Sequence, residues 1–189
     1  MTTGIADKRY FRDKNLAVEL VWLGDTRDPV TTMGGLTIRP DVSIREATLA
    51  AEDFLILPGA DAWLAGPRQE IIEVAKDRIE RGLPVAAICA ATVALAQAGA
   101  LDAVRHTSND KEFLKQCCPA YRGGARYVEA PAVADSNVIT ASATAPVEFA
   151  YEIFKALGAF DPETLSAWRD LNVKREARYF FALMDSMKK

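Results

Sequence analysis

The segment "LPVAAICAATVALAQAG", residues 83 to 99, constrains the fold more than any other part of the sequence. Its first half is a short apolar run that is typical of a buried strand, and its alanine-rich second half is typical of a helix. A strand that turns directly into a helix needs small residues two positions on either side of the turn, and Ala87 and Ala91 occupy these positions. The spacing therefore predicts a sharp turn with Cys89 at its centre, the arrangement known as a nucleophile elbow.

Two roles are open to Cys89 at such a turn. In the first, the following helix directs its positive end and its first N–H groups at the sulfur, which favours the thiolate. The same N–H groups stabilise an oxyanion, and the amide of Ala90 is the natural donor. In the second, Cys89 is a small buried core residue, as free cysteines commonly are.

Strand-like and helix-like segments alternate along the chain. The strand-like segments are 15–24, 53–59, 84–89, 105–109 and two pieces within 127–142, with a hairpin-like excursion at 30–44. The helix-like segments are 68–82, 90–99, 111–118 and 145–158, followed by a helical extension over about 160–189. This alternation predicts an α/β fold, a three-layer sandwich with a mainly parallel sheet and helices on both faces. The length predicts one domain over 1–189.

Ligands of such folds bind at the carboxyl ends of the parallel strands. Two segments end at this edge in the predicted sheet, the elbow at Cys89 and the turn Pro58-Gly59-Ala60. The turn therefore offers a second oxyanion donor, the amide of Ala60 or Gly59, beside the predicted nucleophile.

Composition excludes several functional classes. The formal net charge of −3 and the lack of a basic stripe predict no nucleic-acid partner, and no apolar run is long enough to predict a membrane span. With three cysteines, no CxxC spacing and one histidine, the sequence predicts neither a metal site nor a cofactor. The cysteine usage and the lack of a signal-like apolar run near the first residue predict a reducing, cytoplasmic location.

Several quoted segments together resemble one known family. "DFLILPGADAW" followed by "VAAICAATVALAQAGALD" is similar to the ThiJ/PfpI family of class I glutamine amidotransferase-like proteins, and so are "TTMGGLTIRPDVSI" and "VITASATAPVEFAYEIFKALG". The resemblance covers roughly residues 15 to 160. It implies a flavodoxin-like fold, and it implies a homodimer because the family often forms one. The family includes deglycases, glyoxalase-III-type enzymes, stress-linked chaperones and intracellular peptidases.

The resemblance also implies roles for individual residues. Cys89 falls on the elbow nucleophile, and Ala90 falls on the residue whose amide is one oxyanion donor. Gly59 and Ala60 fall on a Gly-Gly pair of the family, so that Ala60 departs from glycine. An alanine amide still donates a hydrogen bond, but alanine is less comfortable than glycine if the position needs a positive φ.

A histidine that many family members carry after the elbow is missing at its expected place. Asn109 occupies this place, and His106 lies three residues earlier. An odd offset along a strand reverses the face, so that Asn109 is expected to point into the site as an oxyanion- or substrate-binding group and His106 to point away.

The resemblance predicts a second departure near the first residue. The family begins with a strand followed by an acidic residue, whereas this sequence opens with "MTTGIADKRYFRDKNLAVEL". We expect that strand and its acid to be missing, through a late start codon, an engineered deletion or a rearranged sheet. The other candidate acids are Glu19, expected on the solvent face of an edge strand, Glu148, expected to stabilise a helix start, and Asp61, expected at the pocket rim or as a helix N-cap.

Three functional hypotheses follow. In the first, Cys89 adds as a thiolate to the carbonyl of a small aldehyde, a glycated group or an amide. In the second, Cys89 is the oxidation-sensitive thiol of a redox or stress sensor or of a chaperone-like protein. In the third, the chain is a truncated, inactive copy. The missing histidine and acid argue against a complete catalytic triad, and therefore against an amidotransferase or a peptidase.

Overall fold

A computed structural model describes residues 2–66 and 69–188. Arg68, the first residue of the predicted helix 68–82, lies outside the described residues. The described part of the chain contains seven α-helices, namely α1 Thr2–Asp7, α2 Gln69–Glu80, α3 Ala90–Gln97, α4 Lys111–Cys117, α5 Pro146–Ala156, α6 Pro162–Lys174 and α7 Ala177–Ser186. Its strands are β1 Leu23–Gly24, β2 Val30–Thr31, β3 Thr37–Ile38, β4 Val42–Ser43, β5 Leu55–Leu57, β6 Val85–Ile88, β7 Ala132–Asp135 and β8 Val138–Ala141.

The chain divides into two compact units. One unit is Val21–Thr144, and the other combines Met1–Leu20 with Ala145–Lys189. The first unit contains all the strands and the predicted elbow. The prediction of a single domain over the whole chain stays a prediction.

The sheet of the Val21–Thr144 unit has the strand order β5-β6-β8-β7. Strands β5, β6 and β8 run parallel to one another, and β7 pairs antiparallel with β8. Strand β1 pairs in parallel with β4, while β2 and β3 form the hairpin expected around Gly34-Gly35. The predicted α/β class with a mainly parallel sheet is confirmed.

Helix α3 is buried on all sides, and this fixes the position of its first residue. Residues 90–96 are all buried, as are Val85, Ala86 and Ala87 of the preceding strand. A helix that is apolar all round belongs in a core, where small alanines allow close packing against neighbouring elements. The helix gives way to Gly99 at φ +74°, a conformation that glycine adopts without strain. The start of α3 is thus anchored at the end of β6.

Two predicted strands form only in part. Of the segment 15–24, only Leu23 and Gly24 pair with another strand. Leu16 and Val18 instead pack against the apolar cluster of their own unit, around Phe11 and Phe154. A strand needs a continuous backbone ladder with a neighbouring strand, and the described residues before Leu23 form no such ladder. No strand precedes Leu23 in the described part of the chain.

The segment 105–109 also differs from its prediction as a strand. It contributes one isolated parallel bridge, between His106 and Tyr127. The next amide along, that of Thr107, donates to the side-chain oxygen of Thr140 and not to a strand backbone. The ladder therefore stops after one residue.

The other unit is built from helices around an aromatic cluster. Phe154 of α5 stacks on Phe160 with ring centroids 4.6 Å apart, and Trp168 of α6 meets Phe154 edge-on. Such aromatic pairs add to the stabilisation from apolar burial. None of the described helices combines the length and the apolar character that crossing a bilayer requires.

Candidate functional site

Cys89 sits at a sharp turn between β6 and α3. Its backbone has φ 61° and ψ −132°, and it is the N-cap of α3. A non-glycine residue in this region costs about 1–3 kcal/mol, and such strain persists only where the surroundings hold it. Here the Cys89 amide donates to Ala141 O at 3.0 Å, and Thr92 donates to Cys89 O through both its amide and its hydroxyl. The side chain is half-buried, so that the thiol is not sealed in the core.

The turn after β5 lies directly against Cys89, and Gly59 makes this possible. A Cβ built on Gly59 would lie 2.8 Å from Cys89 Cβ and 3.5 Å from Cys89 Sγ. The glycine is therefore required by a close approach. Ala60 has φ −159° and ψ 144°, an extended conformation, so this position does not need the positive φ at which alanine would be less comfortable than glycine. The indole Nε1 of Trp63 donates to Pro58 O at 2.8 Å, and this hydrogen bond stabilises the turn.

The backbone near the sulfur offers hydrogen-bond donors. The first N–H groups of a helix have no acceptor within that helix, and Ala90 is the first residue of α3. Ala60 follows the glycine that touches Cys89. The two amides therefore belong to elements that meet at the thiol, and their roles as oxyanion donors stay predictions.

Asn109 contacts the sulfur from a third direction. Its Nδ2 donates to Cys89 Sγ at 3.5 Å, and its Oδ1 accepts from the Ala143 amide at 2.8 Å. Three of the residues predicted for the site, Gly59, Cys89 and Asn109, thus come together in the structure. The sequence gives no signal for Ala143, because its contact with Asn109 joins positions 34 residues apart.

Two buried hydroxyl groups, those of Thr92 and Ser108, form hydrogen bonds next to Cys89. The Thr92 hydroxyl donates to Cys89 O at 2.6 Å and shares a 2.7 Å hydrogen bond with the Ser108 hydroxyl. Thr92 and Ser108 are both buried, and Ser108 precedes Asn109. The network therefore ties the elbow to the segment that carries Asn109. The i+3 spacing of Thr92 from Cys89 is the one sequence signal that points to it.

His106 is a structural residue. Its side chain is completely buried, Nδ1 donates to Val104 O, and Nε2 accepts from the Tyr121 hydroxyl. The donor role of Nδ1 follows because a carbonyl oxygen only accepts. Burial lowers the pKa of His106 and raises the pKa of Tyr121 to about 12. The only histidine of the sequence is therefore neutral and engaged away from the sulfur.

We expect this histidine to make stability depend on pH. The unfolded chain binds a proton at His106 near pH 6.5, whereas the folded chain resists protonation, so the free energy of unfolding falls as pH drops below about 6.5. The slope is at most about 1.4 kcal/mol per pH unit for one proton. Urea unfolding at pH 7.5 and pH 5.0 measures this loss. His106→Gln should lose less than the parent chain over this interval, and an identical loss in both proteins would contradict the assignment.

The remaining candidates lie outside these contacts. Asp61 is the first residue of a short 3-10 turn whose N-cap is Ala60, so the N-cap alternative for Asp61 is wrong. Glu19 is exposed and Glu148 lies in the first turn of α5. Cys118 is buried, and burial raises the pKa of its thiol to about 11. Within the described ranges, no group of three or more potential ligands is arranged to hold a metal ion.

A separate cavity of about 880 Å³ occurs in the same unit and does not include Cys89. Arg27 and Arg45 line it, and they pair with Glu46 at 2.9 Å and Glu70 at 2.6 Å. Since the guanidinium groups of Arg27 and Arg45 already have carboxylate partners, we assign this cavity no part in the chemistry of Cys89.

Comparison with known proteins identifies relatives of the whole chain. Residues 4–156 match the sequence profile of the DJ-1/PfpI family. The chain is 42% identical over 179 residues to a Bacillus subtilis protein named uncharacterized protease YoaZ, covering 95% of this chain and 85% of that protein. A ThiJ/PfpI family protein from Bacillus anthracis superposes with a TM-score of 0.94 at 42% identity, over 99% of this chain and 88% of that one. A DJ-1 superfamily protein from Agrobacterium tumefaciens gives 0.75 at 35% identity, over 93% and 89%.

Two more distant relatives have names that state an activity. A Pyrococcus abyssi protein named deglycase is 29% identical and covers 69% of this chain and 77% of its own length. A Caenorhabditis elegans protein named glutathione-independent glyoxalase is 28% identical and covers 74% of each. The names of the relatives thus include a protease, a deglycase and a glyoxalase.

Proposed function

Because this chain belongs to the DJ-1/PfpI family, we propose that its Cys89 thiolate adds to the carbonyl group of small aldehydes. α-Oxoaldehydes such as methylglyoxal are the preferred substrate class. The single observation that carries the proposal is the half-buried Cys89 sulfur at a strained elbow, with Gly59 packed against it. The relatives named deglycase and glyoxalase support the same class of substrate.

The proposed step uses groups that meet at the turn. The sulfur lone pair forms a bond to the carbonyl carbon, and the π electrons of the C=O bond move to oxygen. The resulting alkoxide accepts hydrogen bonds from the amides of Ala90 and Ala60, and then takes a proton from water to give a hemithioacetal. No leaving group departs in this step. Water then moves the C1 hydrogen to C2 as a proton, which converts the hemithioacetal into a lactoyl thioester on Cys89. A second water adds to the thioester carbonyl, and the thiolate departs to release lactate and restore Cys89.

Amide hydrolysis places a greater demand on the site than aldehyde addition. An amine leaves a tetrahedral intermediate only when a general acid protonates it, and otherwise the thiolate departs and the amide is restored. His106 cannot supply the proton because its ring nitrogens are bonded to Val104 and Tyr121. Aldehydes and glycated carbonyls therefore fit the site better than peptides, and we do not carry the name protease over to this chain.

The test is a turnover and labelling experiment with the native protein. We expect loss of methylglyoxal and accumulation of lactate in the presence of protein, and no release of product from a peptide anilide. Treatment with one equivalent of iodoacetamide should block the reaction and place the label on Cys89, as read by peptide mass spectrometry. Turnover that survives complete labelling of Cys89 would contradict the proposal.

A second candidate function rests on the same half-buried sulfur. A thiolate that is only half-buried beside a hydrogen-bond donor can also be oxidised by a peroxide, with transfer of one oxygen to sulfur and release of water or alcohol. A redox or stress sensor would show rapid conversion of Cys89 to sulfenic or sulfinic acid by hydrogen peroxide, without methylglyoxal turnover. The two readouts separate the candidates.

The cytoplasmic location and the homodimer are part of this proposal. Size-exclusion chromatography with light scattering measures the oligomeric state directly, and a mass of about 41 kDa, twice the 20.6 kDa chain, is expected.

A further inference from the structure

We propose that Asn109 is a fixed hydrogen-bond donor to the Cys89 sulfur, and that it occupies the place at the sulfur where a general base would otherwise act. The inference rests on the proposed function, because it concerns the same sulfur. Its starting point is the 3.5 Å contact between Asn109 Nδ2 and Cys89 Sγ. Of the side chains in the described part of the protein, that of Asn109 is the one that hydrogen-bonds this sulfur.

The direction of the Asn109 amide follows from its other partner. The Ala143 amide lies 2.8 Å from Asn109 Oδ1, and a backbone N–H only donates. The side-chain oxygen must therefore face Ala143, and the NH₂ group must face the sulfur. The donor role at Cys89 is thus set by a backbone group, whose own role cannot be reversed.

The backbone around Asn109 is held although it is not a strand. The Thr107 amide donates to Thr140 Oγ1 at 2.8 Å, and Ser108 shares its hydroxyl hydrogen bond with Thr92. On the other side, Asp110 is the N-cap of α4 and accepts from the amide of Phe113. The residues before and after Asn109 are therefore both anchored, so that the amide is presented to the sulfur in one place.

A fixed amide donor has a definite chemical consequence. Hydrogen bonds from an N–H group to an anionic acceptor are stronger than those to a neutral one, so the Asn109 amide favours the thiolate of Cys89. An amide NH₂ neither accepts a proton nor gives one up at neutral pH. The site therefore stabilises its nucleophile without the capacity to protonate a leaving amine. We infer a substrate class of carbonyl compounds that react by addition, with no bond to an amine that must break.

Two variants separate a donor from a merely structural residue. Asn109→Asp keeps an oxygen for the Ala143 amide but places a second oxygen, with negative charge, at the sulfur. Asn109→Ala removes both contacts. If Asn109 is merely structural, Cys89 should be alkylated faster in the aspartate variant than in the alanine variant. If Asn109 is a donor to the sulfur, alkylation should be slower in the aspartate variant.

The measurement is the rate of alkylation of Cys89 by iodoacetamide at pH 7 in the full chain. We expect a rate about tenfold lower in Asn109→Ala and about a hundredfold lower in Asn109→Asp, in line with the strength of hydrogen bonds to charged groups. The matched control is Asp110→Asn, which keeps an N-cap acceptor for the Phe113 amide and should react at the parent rate. Circular dichroism and thermal unfolding verify that each variant is folded.

The outcomes are decisive in either direction. Equal alkylation rates in the parent and both variants, or a faster rate for Asn109→Asp than for Asn109→Ala, would overturn the donor role. Because alkylation requires no turnover, it distinguishes this inference from the proposed function. If the parent chain does not consume methylglyoxal but Asn109→Asp still slows alkylation, the donor role stands and only the aldehyde activity fails.

Discussion

Replacement of Cys89 by alanine is expected to lower methylglyoxal turnover by about a thousandfold or more. The sulfur is the atom that forms the new bond to the carbonyl carbon, and removal of a covalent nucleophile leaves only hydrogen-bond donors in the site. The alanine keeps the Cβ and therefore the contacts of the elbow, so the fold should be preserved. Initial rates of substrate loss at saturating methylglyoxal, with protein verified as folded by circular dichroism, measure the effect.

Serine at the same position tests the lack of a general base. A hydroxyl group is a useful nucleophile only when a base removes its proton, and His106 is buried and bonded to Val104 and Tyr121. Cys89→Ser is therefore expected to be as inactive as Cys89→Ala. Substantial turnover by the serine variant would reveal a base at the elbow and would contradict the mechanism.

The other cysteines provide the matched control. Cys117 is half-buried like Cys89 but lies at the end of α4, while Cys118 is buried and donates to Val93 O. Cys117→Ala should keep the turnover and the peroxide sensitivity of the parent chain. If Cys117→Ala lost activity while Cys89→Ala kept it, Cys117 would be the nucleophile and the proposal would be contradicted.

The second large effect is expected from Gly59→Ala. The added methyl group would lie 2.8 Å from Cys89 Cβ, and the atom it meets is attached directly to the strained backbone of the elbow. Neither partner is the flexible end of a side chain, so the turn or the elbow must move apart. A displacement of about 1 Å at a reacting centre costs about a hundredfold in rate, and we expect losses of this size in turnover.

Gly34→Ala is the control for this substitution. Gly34 lies in the β2–β3 hairpin, where the nearest atom to an added Cβ is Thr32 Oγ1 at 3.9 Å. This variant should have the activity and the unfolding temperature of the parent chain. Both glycine variants are assayed well below their unfolding temperatures, so that activity is compared between folded proteins. Parent-like turnover in Gly59→Ala would show that the close approach of the turn is not needed for the reaction.

The family includes proteins named for several activities, and the site suggests how this chain differs from those that need acid–base groups. Its sulfur lies at the start of α3 and accepts a hydrogen bond from Asn109, and its histidine is part of the core. The chain thus has the cysteine elbow, but among the described residues no general acid or base hydrogen-bonds to the sulfur. Addition to a carbonyl needs no general acid, whereas cleavage of an amide needs one to protonate the leaving amine. The comparison of methylglyoxal with a peptide anilide measures this difference.

Local sequence determined the parts of the site that depend on near neighbours. The small residues Ala87 and Ala91 predict the turn at Cys89, and the buried apolar character of α3 and the glycine after it predict where the helix lies. These features follow from backbone sterics and helix propensity over a few residues, which a pattern of letters records directly. The odd offset of His106 from Asn109 predicts opposite faces only on a strand, and 105–109 contributes a single bridge residue, so the folded chain and not the offset separates the two side chains.

Tertiary structure decided which distant groups meet at the sulfur. The need for glycine at position 59 comes from a contact with Cys89, and the direction of the Asn109 amide comes from Ala143. The chain at 15–22 is not a strand because no neighbouring strand forms a ladder with it among the described residues. Each of these depends on pairs of residues far apart in the chain. The sequence pattern indicates whether each segment prefers helix, strand or turn. Only the folded chain brings together the distant atoms that form these contacts.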